Sequence, residues 1–204
     1  MHKLKLYSAI VIFVLIVLFV GACAKPSPAQ TPAPSSTPTP TVPKPAEVWT
    51  ADGIIKVSEY TGNMQYGDYQ IFWWSDERYV YIGIRVETTG FVAVGIQPGS
   101  RMKNADMVFG FVKNGETTIY DMFSMGDFGP HQPDVELGGT NDILEFAGSE
   151  QDGFTTIEFK RYLNTGDDYD QLLSTGTNKI IWSYGSSDEL NRKHTNRGYG
   201  EINL

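Results

Sequence analysis

From Glu47 onward the apolar residues come in short runs separated by clusters of Gly, Pro, Asn, Asp and Ser. Ile54–Tyr60 alternates apolar and polar positions. Tyr69–Trp74 is rich in aromatics and turns at Ser75-Asp76-Glu77-Arg78 into Tyr79–Val86. Phe91–Gln97 and Asp106–Val112 follow, bounded by Gly90 on one side and Asn114-Gly115 on the other. Such runs predict strands, since the side-chain period of a half-buried strand is two. Lys113-Asn114-Gly115-Glu116 predicts a tight hairpin into Thr117–Phe123, because Asn-Gly accepts the positive φ values of a two-residue turn. Ile143–Ala147 and Phe154–Lys160 flank a Ser-Glu-Gln-Asp-Gly turn, and Lys179–Tyr184 and Tyr199–Leu204 complete the set. Helical period is missing apart from one short turn at Asp170–Leu173. The pattern predicts an all-β, antiparallel β-sandwich, with a closed barrel as the alternative. Two long polar stretches, 124–141 and 185–197, fall outside the pattern and are the loops where function tends to sit.

The first residues follow a different pattern. His2, Lys3 and Lys5 precede a continuous apolar run, Ala9 to Val20, which ends in Val20-Gly21-Ala22-Cys23. The run is short for a membrane span and suits a signal peptide over residues 1–22. Small residues before the only cysteine resemble a bacterial lipobox, which implies cleavage before Cys23 and lipidation of its thiol. Two or more acyl chains hold a protein on a bilayer where one is marginal. Residues 23–46 are dominated by Pro, Ser, Thr and Ala and read as an extended tether with no core to bury. The folded domain is then 47–204, on the extracytoplasmic face of a membrane.

Composition removes several function classes. The chain carries 24 acidic and 16 basic residues, a net charge of -8. That balance argues against nucleic acid, which needs clustered Lys and Arg. With Cys23 lipidated, the domain has no thiol for a disulfide or a thiolate metal site, and no C-x-x-C-H for covalent haem. Outside the signal peptide only His131 and His194 remain, too few for a catalytic zinc site. Neither a G-x-S-x-G elbow nor a phosphate loop is present. Asp167 and Asp168 read as turn residues, with calcium ligation as the other reading. No catalytic constellation emerges, so the chain is expected to carry or bind rather than catalyse.

Three stretches together resemble the DOMON domain family. They are Phe91-Val92-Ala93-Val94-Gly95-Ile96 with the Pro-Gly turn, Met102 and Asn104-Ala105-Asp106-Met107-Val108; Phe159-Lys160-Arg161-Tyr162-Leu163-Asn164-Thr165-Gly166-Asp167; and Trp182-x-Tyr184-Gly185 followed by His194-x-x-Arg197-Gly198. Tyr162 stands where many members have Pro. The resemblance implies an Ig-like sandwich over about Trp49 to Leu204. Some members resemble the haem b cytochrome domain of cellobiose dehydrogenase, which holds iron between a Met in the turn after the Gly-containing strand and a His near the C-terminus. Met102 and His194 occupy those places, which implies non-covalent haem b with both axial positions filled, and electron transfer to a separate redox protein. Other members are thought to bind sugars, which leaves a non-catalytic carbohydrate-binding module as the second reading.

Further candidates divide between site and scaffold. His131 is the rival ligand, although its loop setting suggests an exposed histidine. Met107, alternating with Phe109 and Phe111, reads as a core residue. Arg192 and Lys193 beside His194 are candidates for the haem propionates or members of a solvated loop. Tyr60, Trp73 and Trp74 are candidates to line a haem or sugar cleft, with plain core as the alternative.

Overall fold

The computed structural model describes residues 44–204. The expected signal peptide, Cys23 and nearly all of the expected tether therefore lie outside the described residues. The strands are β1 (Gly62–Tyr66), β2 (Tyr69–Ser75), β3 (Tyr79–Glu87), β4 (Val92–Ile96), β5 (Asp106–Lys113), β6 (Glu116–Phe123), β7 (Gln132–Pro133), β8 (Ile143–Gln151), β9 (Phe154–Tyr162), β10 (Thr177–Tyr184) and β11 (Asn196–Asn203). One short helix, α1 (Asp134–Leu137), follows β7. Two antiparallel sheets, in the orders β1-β2-β3-β9-β8 and β11-β10-β4-β5-β6-β7, pack face to face as a sandwich.

The interior follows from strand alternation. Ile71 and Trp73 of β2, Val80, Ile82 and Ile84 of β3, and Ile157 and Phe159 of β9 meet Val92, Val94 and Ile96 of β4 and Val108 and Val112 of β5. Burying a Val, Ile or Phe side chain contributes about 1.5–3 kcal/mol, so this layer supplies most of the driving force. Gly110 sits inside it, and a Cβ there would stand 3.1 Å from Ile157 of the opposite sheet. The Asn114-Gly115 turn has φ values of 54° and 80°, and the β8–β9 turn at Asp152-Gly153 has 51° and 79°. These are the left-handed pairs that two-residue hairpins require.

Three expectations are corrected. Ile54–Tyr60 is not a strand: its last part is a 3-10 turn, Val57–Glu59. Tyr60 instead leads into β1, whose sequence Gly-Asn-Met-Gln-Tyr is too polar to read as a strand; it is an edge strand held by pairing with β2. The helical turn falls at Asp134–Leu137, inside the long 124–141 loop, and not at Asp170–Leu173. Among the described residues no helix is long and apolar enough to cross a membrane.

Candidate functional site

The outer face of an antiparallel sheet is usually polar where it meets water. On the six-stranded sheet it is apolar. Phe91, Ala93, Ala105, Met107, Phe109, Phe111, Met122 and Ile181 form a second buried cluster there, with Met102 and Tyr120 packed against it. Phe91 and Phe109 stack with ring centroids 4.3 Å apart. The floor is made of small residues, and a Cβ at Gly95 would come within 2.6 Å of Ile181. Met107, Phe109 and Phe111 do share one side of their strand, but that side faces away from the sandwich interior; Val108, Gly110 and Val112 face inward. Alternation says which residues share a face and is silent on which face is covered by what.

Three loops surround this surface. The 97–105 turn is tight: Gly99 N–H donates to Lys103 O and Lys103 N–H to Ser100 O. Gln97, Arg101 and Asn104 have positive φ, at 46°, 53° and 62°. The turn holds Met102 half-buried on the cluster. The 124–131 loop is tied to it, since Asn104 N–H donates to Ser124 O at 2.7 Å and Ser124 N–H to Ala105 O at 3.0 Å. The Arg101 guanidinium lies over the Phe128 ring, 4.7 Å from its centroid. The 185–195 loop is pinned by Gly185 N–H donating to Phe91 O and Phe91 N–H to Ser187 O. Between it and the sheet, Phe111, Tyr120 and residues 188–191 line an open cavity of about 440 Å³.

The two histidines come from these loops, near enough for His131 to feel the charge of His194. His131 is half-buried and its Nδ1 has no partner, so it is not the exposed loop histidine its setting suggested. Burial, then the nearby His194, hold it below the ordinary histidine range. Burial, then Arg197 and Lys193, do the same to His194. Both shifts favour the neutral ring, the form that ligates metals. Arg192 and Lys193 are exposed, and Arg192 pairs with Glu189 at 2.7 Å.

Tyr60, Trp73 and Trp74 are not brought to this face. Trp73 is in the interior and donates to Asn203 O at 2.9 Å. Tyr60 and Trp74 belong to a third cluster, with Trp49 and Tyr81, on the outer face of the five-stranded sheet. There Tyr60 O–H donates to the buried Glu158 and accepts from Trp49 Nε1.

One feature of the interior was missed. Arg161 and Asp106 are both wholly buried and ion-paired, which joins β9 of one sheet to β5 of the other. Arg161 also donates to Gln171 O, while Gln171 N–H donates to Asp106 and its side-chain amide to Asn104 O. The pair therefore anchors the turn that carries Met102. Its signal was present: Arg161 is in phase with Ile157 and Phe159, and Asp106 with Val108 and Val112. Around it stand Asp121, Asp134 and Asp170. Burial first, then the neighbouring carboxylates, push Asp121 up to about 8, Asp134 to about 7 and Asp170 to about 6. Asp167 is not part of this group; its oxygens cap the N–H groups of Thr140 and Tyr169.

A pH dependence follows. These carboxyls hold protons in the folded state that the unfolded chain releases near pH 4. Their contribution to stability is fully present below that point and is lost as pH rises to about 8. In metal-free buffer, unfolding free energy should fall between pH 5 and pH 8 by ~1.4 kcal/mol per pH unit for each excess proton. His131 and His194 act in the opposite sense below about pH 6.5. Urea unfolding across this range measures the slope, which Asp121→Asn should flatten.

The DOMON domain family matches residues 65–185, and the chain belongs to that family. It is 32% identical over 133 residues to MOXD1 homolog 1 of Drosophila melanogaster, covering 61% of this chain and 18% of that protein. It is 30% identical over 143 residues to human DBH-like monooxygenase protein 1, covering 68% of this chain and 22% of the relative. The chain thus spans about a fifth of the length of these relatives. Among solved structures, the cytochrome b domain of pyranose dehydrogenase from Coprinopsis cinerea superposes with a TM-score of 0.50 at 11% identity, covering 66% of this chain and 74% of that one. The cytochrome domain of Myriococcum thermophilum cellobiose dehydrogenase gives 0.51 at 10% identity, covering 70% and 81%. At these identities the likeness is one of fold.

Proposed function

We propose that this chain is a b-type haem-binding electron-transfer domain of the DOMON family, held on the extracytoplasmic face of a membrane by lipid on Cys23. The observation that carries the reading is the apolar outer face of the six-stranded sheet, with the Met102 thioether packed on it and framed by the loops that carry His131 and His194. This donor set suits haem iron: the face is apolar, small residues floor it, and the His131 Nδ1 is buried without a partner. Met102 and His194 would hold the iron, and haem when bound would supply the one-electron couple. Met102 brings a soft sulfur, which favours the reduced state. The 185–195 loop and Phe91 would keep water from the site, and Arg192 and Lys193 would meet the propionates, Arg192 giving up Glu189 to do so. Two solved structures of the same fold are cytochrome domains. A separate redox protein would be the electron partner.

The test is a visible spectrum of the whole chain expressed with haem available. A sharp Soret band with low-spin α and β bands on reduction is expected; a folded, colourless protein indifferent to haem would overturn the reading. The carbohydrate alternative draws on the outer aromatic cluster, where Trp74 and Tyr81 stack at 4.5 Å. Oligosaccharide binding by a haem-indifferent chain would favour it. Anchoring has its own test. Cys23→Ser should release the protein from membranes or leave it unprocessed, as read by fractionation and intact mass; unchanged partition and mass would exclude lipidation.

A further inference from the structure

Asp106, Asp121 and Asp170 each offer a carboxylate oxygen, and these oxygens all lie within 4.8 Å of one another. Asp106 opens β5. Asp121 lies near the end of β6 and points inward, in phase with Ile119. Asp170 arrives from the loop before β10. Among the described residues Arg161 is the one cation paired with these carboxylates: it contacts Asp106 Oδ2 and, at 3.5 Å, Asp170 Oδ1. Asp106 Oδ1, Asp121 Oδ1 and both oxygens of Asp170 are left without hydrogen-bond partners.

A separate buried residue lies beside the same spot. Asp134, on α1, is 1% exposed, and neither of its oxygens has a partner. The β6–β7 register pairs Met122 with Pro133, so the next step brings Asp134 alongside Asp121. Asp134 also feels the charges of Asp170 and Asp106. Four carboxyl groups therefore converge where one guanidinium is available. Buried polar atoms without partners are costly and rare, and each needs an explanation.

We propose that Asp106, Asp121 and Asp170, with Asp134 beside them, form a calcium-binding site. The size fits: calcium–oxygen distances of about 2.3–2.6 Å put ligand oxygens on opposite sides of the ion about 5 Å apart. The donors are all hard oxygens, which select calcium or magnesium over zinc or copper. Magnesium keeps several waters, and walls as dry as Asp106 and Asp121 leave little room for them. The ion would join β5, β6, α1 and the loop before β10. It would thereby brace the turn bearing Met102, which ends one residue before Asp106, and the loop bearing His131, three residues before Asp134. The site does not depend on haem being bound.

The experiment uses the full chain after chelator treatment. Calcium chloride is titrated in by calorimetry at pH 8, and thermal unfolding is followed with and without the ion, with magnesium chloride alongside. Saturable binding of one calcium per chain is expected, with a rise in Tm that weakens at pH 5, where the carboxyls are protonated. Asp121→Asn and Asp170→Asn should each weaken binding tenfold or more. Asp152→Asn, on the distant β8–β9 turn, should leave it unchanged. Should one of the first two variants fail to fold by circular dichroism, the other decides. No binding heat and no change in Tm at millimolar calcium would overturn the proposal. So would binding that persists undiminished in a folded Asp121→Asn or Asp170→Asn variant.

Discussion

Arg161→Ala is expected to destabilise the domain by about 3–5 kcal/mol, because it leaves Asp106 buried and uncompensated. Both side chains are fully inaccessible to solvent, so water cannot take over the role of the guanidinium. The cost is the penalty of an orphaned charge and not the net worth of the pair. Replacing both partners together, Asp106→Leu with Arg161→Met, should therefore cost much less than the single change. The single variant should also recover at acid pH, where Asp106 can fold as a neutral acid. Urea unfolding of Arg161→Ala and of the double variant at pH 5 and pH 7.5 checks this. A loss under about 1 kcal/mol for Arg161→Ala would show that the corner relaxes or admits water. The same substitution should reach the outer face. Gln171 bridges the ion pair to Asn104, so losing the pair loosens the turn that presents Met102.

The second large effect is expected at the ligands. His194→Ala should abolish most haem retention, and His131→Ala should retain more. His194 precedes the last strand, on a loop pinned to β4 through Phe91 and Gly185. Met102→Ala should leave haem bound with a changed spin state and a lower midpoint potential, since the thioether favours ferrous iron. Met107→Ala is the comparison. The structure changes what it tests, because Met107 shares the outer cluster with Met102. It is 4% exposed, so its removal should cost about 2–5 kcal/mol of stability while the low-spin spectrum persists. Haem content, reduced spectra and redox titration of the four variants decide the ligand set. Loss of haem in His131→Ala alone, or of the low-spin spectrum in Met107→Ala alone, would reassign a ligand. Haem retention should also weaken as pH falls, since a protonated imidazole cannot ligate.

The sandwich was legible because period-two runs bounded by Asn-Gly and Asp-Gly leave few alternatives. Those signals are local, and the hairpins they specify appear at the residues expected. The family motifs were legible for the same reason, since each is a short contiguous string. Their meaning was not. Asp106 and Arg161 lie in two different motifs, 55 positions apart, and only the stacking of two sheets brings them into contact.

Edge strand β1 escaped notice because its pairing with β2, not its own hydrophobicity, makes it a strand. Met107, Phe109 and Phe111 were correctly grouped on one side, but a strand inside a sandwich has two sides that can both be buried. Which side meets the other sheet and which meets the loops depends on where those loops pass. The same limit explains Tyr60, Trp73 and Trp74: adjacent aromatics in β2 point to opposite faces, one to the interior and one outward. By itself the sequence determined most of the strands, the tight hairpin turns, the family and the residue types at the candidate ligand positions. Only the tertiary structure decided which face of the six-stranded sheet carries the second apolar cluster, that His131 lies near enough to His194 to feel its charge, and that four carboxyls and one arginine share a buried corner. These are contacts between residues far apart in the chain, and no local periodicity encodes them.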